Sequence, residues 1–353
     1  MLPTPPASLL AIARQVEDRL AEVIDTERAK WSAFEPQLAT PFDEMRRLVL
    51  AGGKRLRPAF CQWGYVGLGG NRQDSIVVDA GAALELLHAF ALFHDDIMDG
   101  SATRRGEPTT HMVAMGEHES RGYLGEARRF GEGVAILVGD LTYVYADELM
   151  MKAPPQAWAI WNTLRIELNI GQYLDVLGSA TRERRREYTE RICQYKSAKY
   201  TIERPLHLGA TMAMPTVAPD VLAKLSAYGV PLGEAFQMRD DVLGAFGETE
   251  ITGKPVGDDL REGKPTPLLS IATSLASAAQ LAVLDRVGHP DITDTEIRNA
   301  QEVIRECGAL DALEDHITTL TASAVNAIKQ APITTDARDE LIELAAYVSW
   351  RAV

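Results

Sequence analysis

The chain has 353 residues, 46 % of them hydrophobic, and carries 36 Lys and Arg against 50 Asp and Glu. An apolar share of this size excludes extensive disorder. A formal net charge of −14 excludes a broad nucleic-acid surface, which would carry a basic stripe.

The Pro-rich opening from Leu2 to Pro6 reads as a loose arm, and it lacks the basic start of a signal peptide. Helical periodicity then predicts helices near 7–30, 74–99, 132–152, 156–178, 182–203, 219–243, 294–306, 309–330 and 335–350. Gly52-Gly53, Gly69-Gly70, Pro154-Pro155, Pro215, Pro255 and Pro290 punctuate them. No series of alternating strands is found. The polar, Gly-rich stretch from Met115 to Gly133 reads as a mobile surface loop. The most apolar long window, Gly81 to Phe93, contains Glu85 and His88 and is too short to span a bilayer, so no transmembrane segment is expected. Cys61, Cys193 and Cys307 have neither metal-ligand nor disulfide spacing, which fits a reducing cytoplasm. With no linker or composition shift, residues 1–353 read as one all-α domain with residues 1–6 as its arm.

Asp95, Asp96 and Asp99 close an apolar helix before Gly100, and Asp95 and Asp99 lie about 40° apart on one face. Three carboxylates at the negative end of a helix dipole are unfavourable without a cation. Hard oxygen donors in this number suit magnesium, with substrate phosphates completing its shell. A solvated acidic helix end fits the same residues. The adjacent Arg104 and Arg105 fit either a surface ion-pair network or a diphosphate clamp. A second acidic pair, Asp240 and Asp241, repeats the pattern and suggests a facing wall of one cavity.

HDDIMDGSATRRGEPTTH resembles the first aspartate-rich motif of the trans-isoprenyl diphosphate synthases, or polyprenyl synthetases. AGGKRLRP, from Ala51 to Pro58, resembles their acceptor-diphosphate loop. FQMRDDVLGAFG resembles their second aspartate-rich motif, and GKPVGDDLREGKPTPLL the lysine-bearing segment after it. The resemblance implies a single bundle of long helices around a deep central cavity, usually in a homodimer. The implied reaction ionises an allylic diphosphate (dimethylallyl, geranyl or farnesyl), joins the cation to isopentenyl diphosphate, and removes a proton.

On this resemblance Asp95, Asp96, Asp99, Asp240 and Asp241 serve Mg2+, three ions per active site. Arg104, Lys196, Gln237, Lys254 and Lys264 contact the allylic diphosphate, while Ser197 and Gln237 direct oxygens toward the cationic carbon. Lys54, Arg57, His88 and Arg105 bind isopentenyl diphosphate. Phe90 and Ala91, five and four residues before the first aspartate, set chain length. The growing tail is expected along Ala91, Leu87 and Leu84, with Phe90 about 7.5 Å below Asp95, and one aromatic there accompanies a twenty-carbon product, geranylgeranyl diphosphate.

Each residue also has a plainer reading: His88 as a core histidine, Lys54 and Arg57 as a solvated loop, Lys196 as a solvated basic face, Phe90 as core packing. The chain departs from the pattern at Gly244, where the second motif usually ends in aspartate, and carries Ser197 where threonine is common. Asp258 and Asp259 read as loop or helix-capping groups. A farnesyl diphosphate synthase, a terpene cyclase of the same architecture, and a non-catalytic partner subunit are the alternatives.

Overall fold

A computed structural model describes residues 4–247 and 256–350. Lys254, Pro255 and the first half of the arm lie outside the described residues. The helices are α1 (Ala7–Phe34), α2 (Ala39–Val49), α3 (Leu56–Gly67), α4 (Ser75–Met98), α5 (Thr110–Arg121), α6 (Ala127–Met150), α7 (Pro155–Thr181) and α8 (Arg186–Ile192). A π-helical segment (Cys193–Glu203) leads into α9 (Arg204–Ala213) and α10 (Pro219–Phe246). After them come α11 (Asp258–Glu262), α12 (Pro267–Leu275), α13 (Ala278–Leu284), α14 (Asp294–Glu306), α15 (Ala309–Lys329) and α16 (Thr335–Trp350). The sheet among the described residues is one hairpin, β1 (Thr103–Arg104) with β2 (Glu107–Pro108).

Helix α4 is the axis. It packs against α1, α3 and α6 and is apolar nearly all round, as a helix buried on every side must be. With 24 residues it is long and apolar enough to cross a membrane, more than the shorter sequence window suggested, but 67 % of its most apolar stretch is buried inside the protein. Helix α1 is amphipathic, and its buried Leu9, Ile12, Val16, Leu20 and Ile24 recur at three- and four-residue steps. Helix α10 spans two clusters of buried side chains, the larger around α4 and a smaller one with α12, α14 and α15. Thr266 caps α12 and a Thr293–Glu296 capping box starts α14.

Several sequence expectations need correction. Helices α2, α3, α9, α11, α12 and α13 lie outside the predicted spans: α3 is buried on nearly every face and shows no clean period, and α11 and α13 are only five and seven residues long. The stretch 115–133 is not a loop; α5 and α6 cover it except around Gly122–Glu126, where Gly122 supplies the left-handed cap. The predicted helix 182–203 divides into α8 and the π-helical segment. That segment lies backbone-to-backbone against its neighbours: a Cβ on Gly171 of α7 would overlap Lys196, and one on Gly233 of α10 would overlap Ala198. Only glycine permits both approaches.

Arg55 is buried at the start of α3, donates to Glu85 of α4 at 2.5 Å and Glu17 of α1 at 3.0 Å, and so ties three helices together. Arg55→Met would leave Glu85 buried without its cation and should cost about 3–5 kcal/mol of unfolding free energy. Arg28→Ala, which removes a solvent-exposed pair with Asp43, should leave the denaturation midpoint where it is. Equal midpoints for the two variants would contradict this account.

Candidate active site

The ends of α4 and α10, the loop before α3, the π-helical segment and the loop before α12 enclose a cavity of about 590 Å³, an ordinary size for a small-molecule site.

One wall is basic. Lys54, Arg57, His88 and Arg105 all line it. The Arg57 guanidinium lies 4.2 Å from the centre of the Tyr200 ring and donates to Thr201 at 3.2 Å, which fixes its direction. His88 leaves Nδ1 buried without a hydrogen-bond partner, and burial followed by Arg57 and Arg105 holds its imidazole well below the ordinary value. It is therefore a neutral donor at physiological pH. Arg105 and Gly106 both have positive φ, 55° and 79°, as a tight two-residue hairpin turn requires. The turn brings Arg105 back to the carbonyl of Gly52. Arg55 and Arg104 crowd it, so burial and like charge lower its pKa.

The α4 end is acidic, and each carboxylate has a different environment. Asp95 opens onto the cavity and meets Lys196 at 3.2 Å and Gln172 at 2.8 Å. Burial alone would raise its pKa, but Lys196, Lys264 and Arg104 prevail and hold it well below the carboxylate range. Asp96 is buried beneath Arg104, which donates at 2.7 Å from Nε, and burial raises its pKa despite that partner. Neither Asp96 nor Asp99 lines the cavity as it stands; Asp99 meets the Lys264 ammonium at 3.1 Å. Lys196 also contacts Asp175 at 2.5 Å. Burial would lower the pKa of Lys196 and of Lys264, and their carboxylate partners raise both instead.

Asp240 and Asp241 line the wall contributed by α10. The helix does not end at this pair but continues to Phe246. Ser197 donates to Gln237, whose amide donates to Asp241 at 2.8 Å. Burial, with Asp259 and Asp240 nearby, pushes the Asp241 carboxyl well above its ordinary value. The other Asp241 oxygen is buried without a partner.

The chain-length residues separate. Ala91 lines the cavity with Leu92, Leu168, Phe236 and Leu243. Phe90, Leu87 and Leu84 do not: Leu84 and Leu87 are core residues, and Phe90 packs between His94 at 4.6 Å and Tyr143 of α6 at 4.8 Å. Asp258 and Asp259 begin α11 and also line the cavity, beyond the capping role expected of them.

Sequence reasoning missed Gln172, Asp175, Tyr200 and Thr201. Gln172 and Asp175 sit one turn apart on α7 beside Gly171, and a glycine followed by polar residues in an apolar helix was the available signal. Nothing local marks Tyr200 and Thr201.

A family model described as polyprenyl synthetase matches residues 40–305. A geranylfarnesyl diphosphate synthase of Aeropyrum pernix is 30 % identical over 306 residues, covering 84 % of this chain and 89 % of the relative. A geranylgeranyl diphosphate synthase of Methanosarcina mazei is 34 % identical over 278 residues, covering 76 % and 77 %. The solved geranylgeranyl pyrophosphate synthase of Corynebacterium glutamicum, complexed with isoprenyl diphosphate and magnesium, superimposes with a TM-score of 0.90 at 35 % identity, covering 97 % of this chain and 99 % of that one. With the same all-α fold and a family match across most of its length, the chain belongs to the polyprenyl synthetase family and is an isoprenyl diphosphate synthase, a prenyltransferase.

Proposed function

We propose that this enzyme condenses isopentenyl diphosphate with an allylic diphosphate, using magnesium, to make geranylgeranyl diphosphate. The observation that carries this reading is one cavity lined both by the basic set Lys54, Arg57, His88 and Arg105 and by the acidic Asp95, Asp240 and Asp241. The carboxylate beside this set, Glu85, is taken up by Arg55, so the basic wall suits the diphosphate of the acceptor. The facing carboxylates suit a metal-bound allylic diphosphate, and the acceptor site disfavours a cyclase.

The residues fit magnesium. Asp95 and Asp99 on α4 and Asp240 on α10 supply hard oxygens, and the unpartnered oxygen of Asp241 lies in the same wall. Among the described residues no three such side chains converge tightly enough to hold a metal alone, so phosphate oxygens and water would complete each shell of the proposed three ions. Bound magnesium stabilises the charge that develops on a departing diphosphate. Lys196, Lys264 and Arg104 add fixed positive charge around that diphosphate, and Lys254 belongs to the same proposed set. Ser197 and Gln237 aim oxygens at the cationic carbon, while Ala91, Leu92, Leu168 and Phe236 keep water from it.

Product analysis with each starter, with and without isopentenyl diphosphate, tests the reaction: elongated diphosphates support it, and cyclic hydrocarbons would replace it with a cyclase. In the same assay Asp95→Ala or Asp240→Ala should lower turnover roughly 10²-fold or more, and chelator should abolish it. Arg57→Ala should raise KM for isopentenyl diphosphate more than for the allylic substrate. Equal effects on both substrates would remove the assigned division of the cavity.

For chain length, Ala91→Phe narrows the cavity directly and should shift products toward farnesyl diphosphate. Phe90→Ala opens the seam between α4 and α6 and should lengthen them. Unchanged products in both variants would place the end of the tail elsewhere.

The homodimer is proposed on two exposed apolar stripes: Leu137, Val144 and Met151 recur every seven residues from α6 onward, and Ile166, Ile170, Tyr173 and Leu177 run along α7. Sedimentation should give twice the chain mass, and Leu137→Arg with Ile170→Arg should halve it; a monomeric wild type would overturn the assignment. The three free thiols suit a cytoplasmic enzyme, and the sharing of α10 by both buried clusters suits a single domain.

A further inference from the structure

The chain carries a formal net charge of −14, yet a second cavity, of about 550 Å³, gathers cations. It lies between the start of α8, helix α12 and helix α15. Arg184, Arg185, Arg186 and His316 line it, and none of the described residues lining it is a carboxylate. Arg185 and Arg186 are engaged by Glu183 and Glu190. Arg184 has no ion-pair partner among the described residues. Its guanidinium has donors to spare, and it reaches only the backbone carbonyls of Gly263 and Val287, at the long distances of 3.4 and 3.5 Å. Burial, followed by the charge of Arg182, lowers its pKa to about 10, with Asp285 and Glu183 offsetting only part of the effect. The group therefore stays charged at neutral pH without a close counter-ion. A second observation comes from the α12 wall. Ser270 is 4 % exposed and lines the cavity. Thr273 and Ser274 of the same helix turn their hydroxyls back to backbone carbonyls at 2.8 and 2.7 Å, whereas the Ser270 hydroxyl has no hydrogen-bond partner among the described residues.

We propose that this cavity is a second anion site, which takes a phosphate or diphosphate group on Arg184 with the Ser270 hydroxyl and His316 as further donors. A guanidinium fork matches phosphate oxygens in a bidentate fashion, and two long contacts to neutral carbonyls compete only weakly with it. Ile271 and Leu275 supply an apolar side, and the volume is ordinary for a small molecule, so the group can arrive free or on an organic body. The site is separate from the catalytic cavity but stands directly behind it. Arg184 reaches the carbonyl just before Lys264, and Ser270 lies one turn beyond Thr266, which lines the catalytic cavity.

The test is calorimetric titration of inorganic diphosphate into the full chain with chelator present, with thermal unfolding recorded for each variant. The wild type should show a binding event that survives Arg57→Ala, a substitution in the catalytic cavity. Arg184→Gln should weaken that event roughly 10-fold or more, the scale of losing a charge-assisted contact, and Arg184→Lys should keep most of it. Ser270→Ala and His316→Gln leave Arg184 in place and should each weaken it in the same direction, which keeps the test open if Arg184→Gln does not fold. Repeating the titration with farnesyl thiolodiphosphate separates the two sources. Tighter binding than the inorganic anion at this event assigns an organic phosphate, and equal or weaker binding assigns the free anion. Loss of the whole titration in Arg57→Ala, or unchanged affinity in the folded variants of Arg184, Ser270 and His316, would overturn the site.

Discussion

Three carboxylates crowd the negative end of a buried helix dipole at the terminus of α4, and the cavity is arranged around keeping that charge in place. The helix supplies no cation of its own. Arg104 comes from the hairpin, Lys196 from the π-helical segment and Lys264 from the loop before α12, with Gln172 of α7 as a neutral donor. Each partner is a separate chain segment drawn to one point. In the function proposed above that compensation is exchangeable: the lysine ammonium groups holding Asp95 and Asp99 would turn to phosphate oxygens once a divalent cation takes those carboxylates.

The Arg55 pair at the basic end of the same cavity is built differently. Arg55 is buried, with its guanidinium divided between Glu85, Glu17 and the carbonyl of Val49. Arg55 and Glu85 border the cavity but are each only 4 % exposed, and their ion pair serves stability. The cations at the cavity mouth sit at its border, where incoming charge can replace their partners. Similar residue types thus do different work according to access. Of the three non-glycine residues with left-handed φ among the described residues, Arg55 and Arg105 line the cavity, while Arg182 caps the end of α7.

The principal motifs were legible in the sequence because each is local. HDDIMDG ends an apolar helical run, so the identity of α4 and the place of Asp95 at its end follow from periodicity and composition alone. GGKRLRP and TRRGEP carry their own turn chemistry, because glycine takes positive φ at no steric cost, as Gly52, Gly53 and Gly106 do. The all-α class followed from the same periodicity. Helices α3 and α5 were hidden for opposite reasons: α3 is buried on all faces, and α5 is so polar that it reads as a loop.

Only the tertiary structure decided which carboxylates face the cavity. Asp95 and Asp96 are adjacent in sequence, yet one opens onto the cavity and the other is sealed beneath Arg104, because successive helical residues point about 100° apart and the neighbours differ. Phe90 and Ala91 divide in the same way, one into the seam with α6 and the other into the cavity. The cavity that gathers Arg184, Ser270 and His316 is likewise invisible to a linear reading, since its residues come from segments far apart in the chain. Local periodicity thus determined the helices and their chemical groups. The long-range packing of backbones, through glycines such as Gly171 and Gly233, determined which of those groups meet, because contact depends on distances between elements that no single segment encodes.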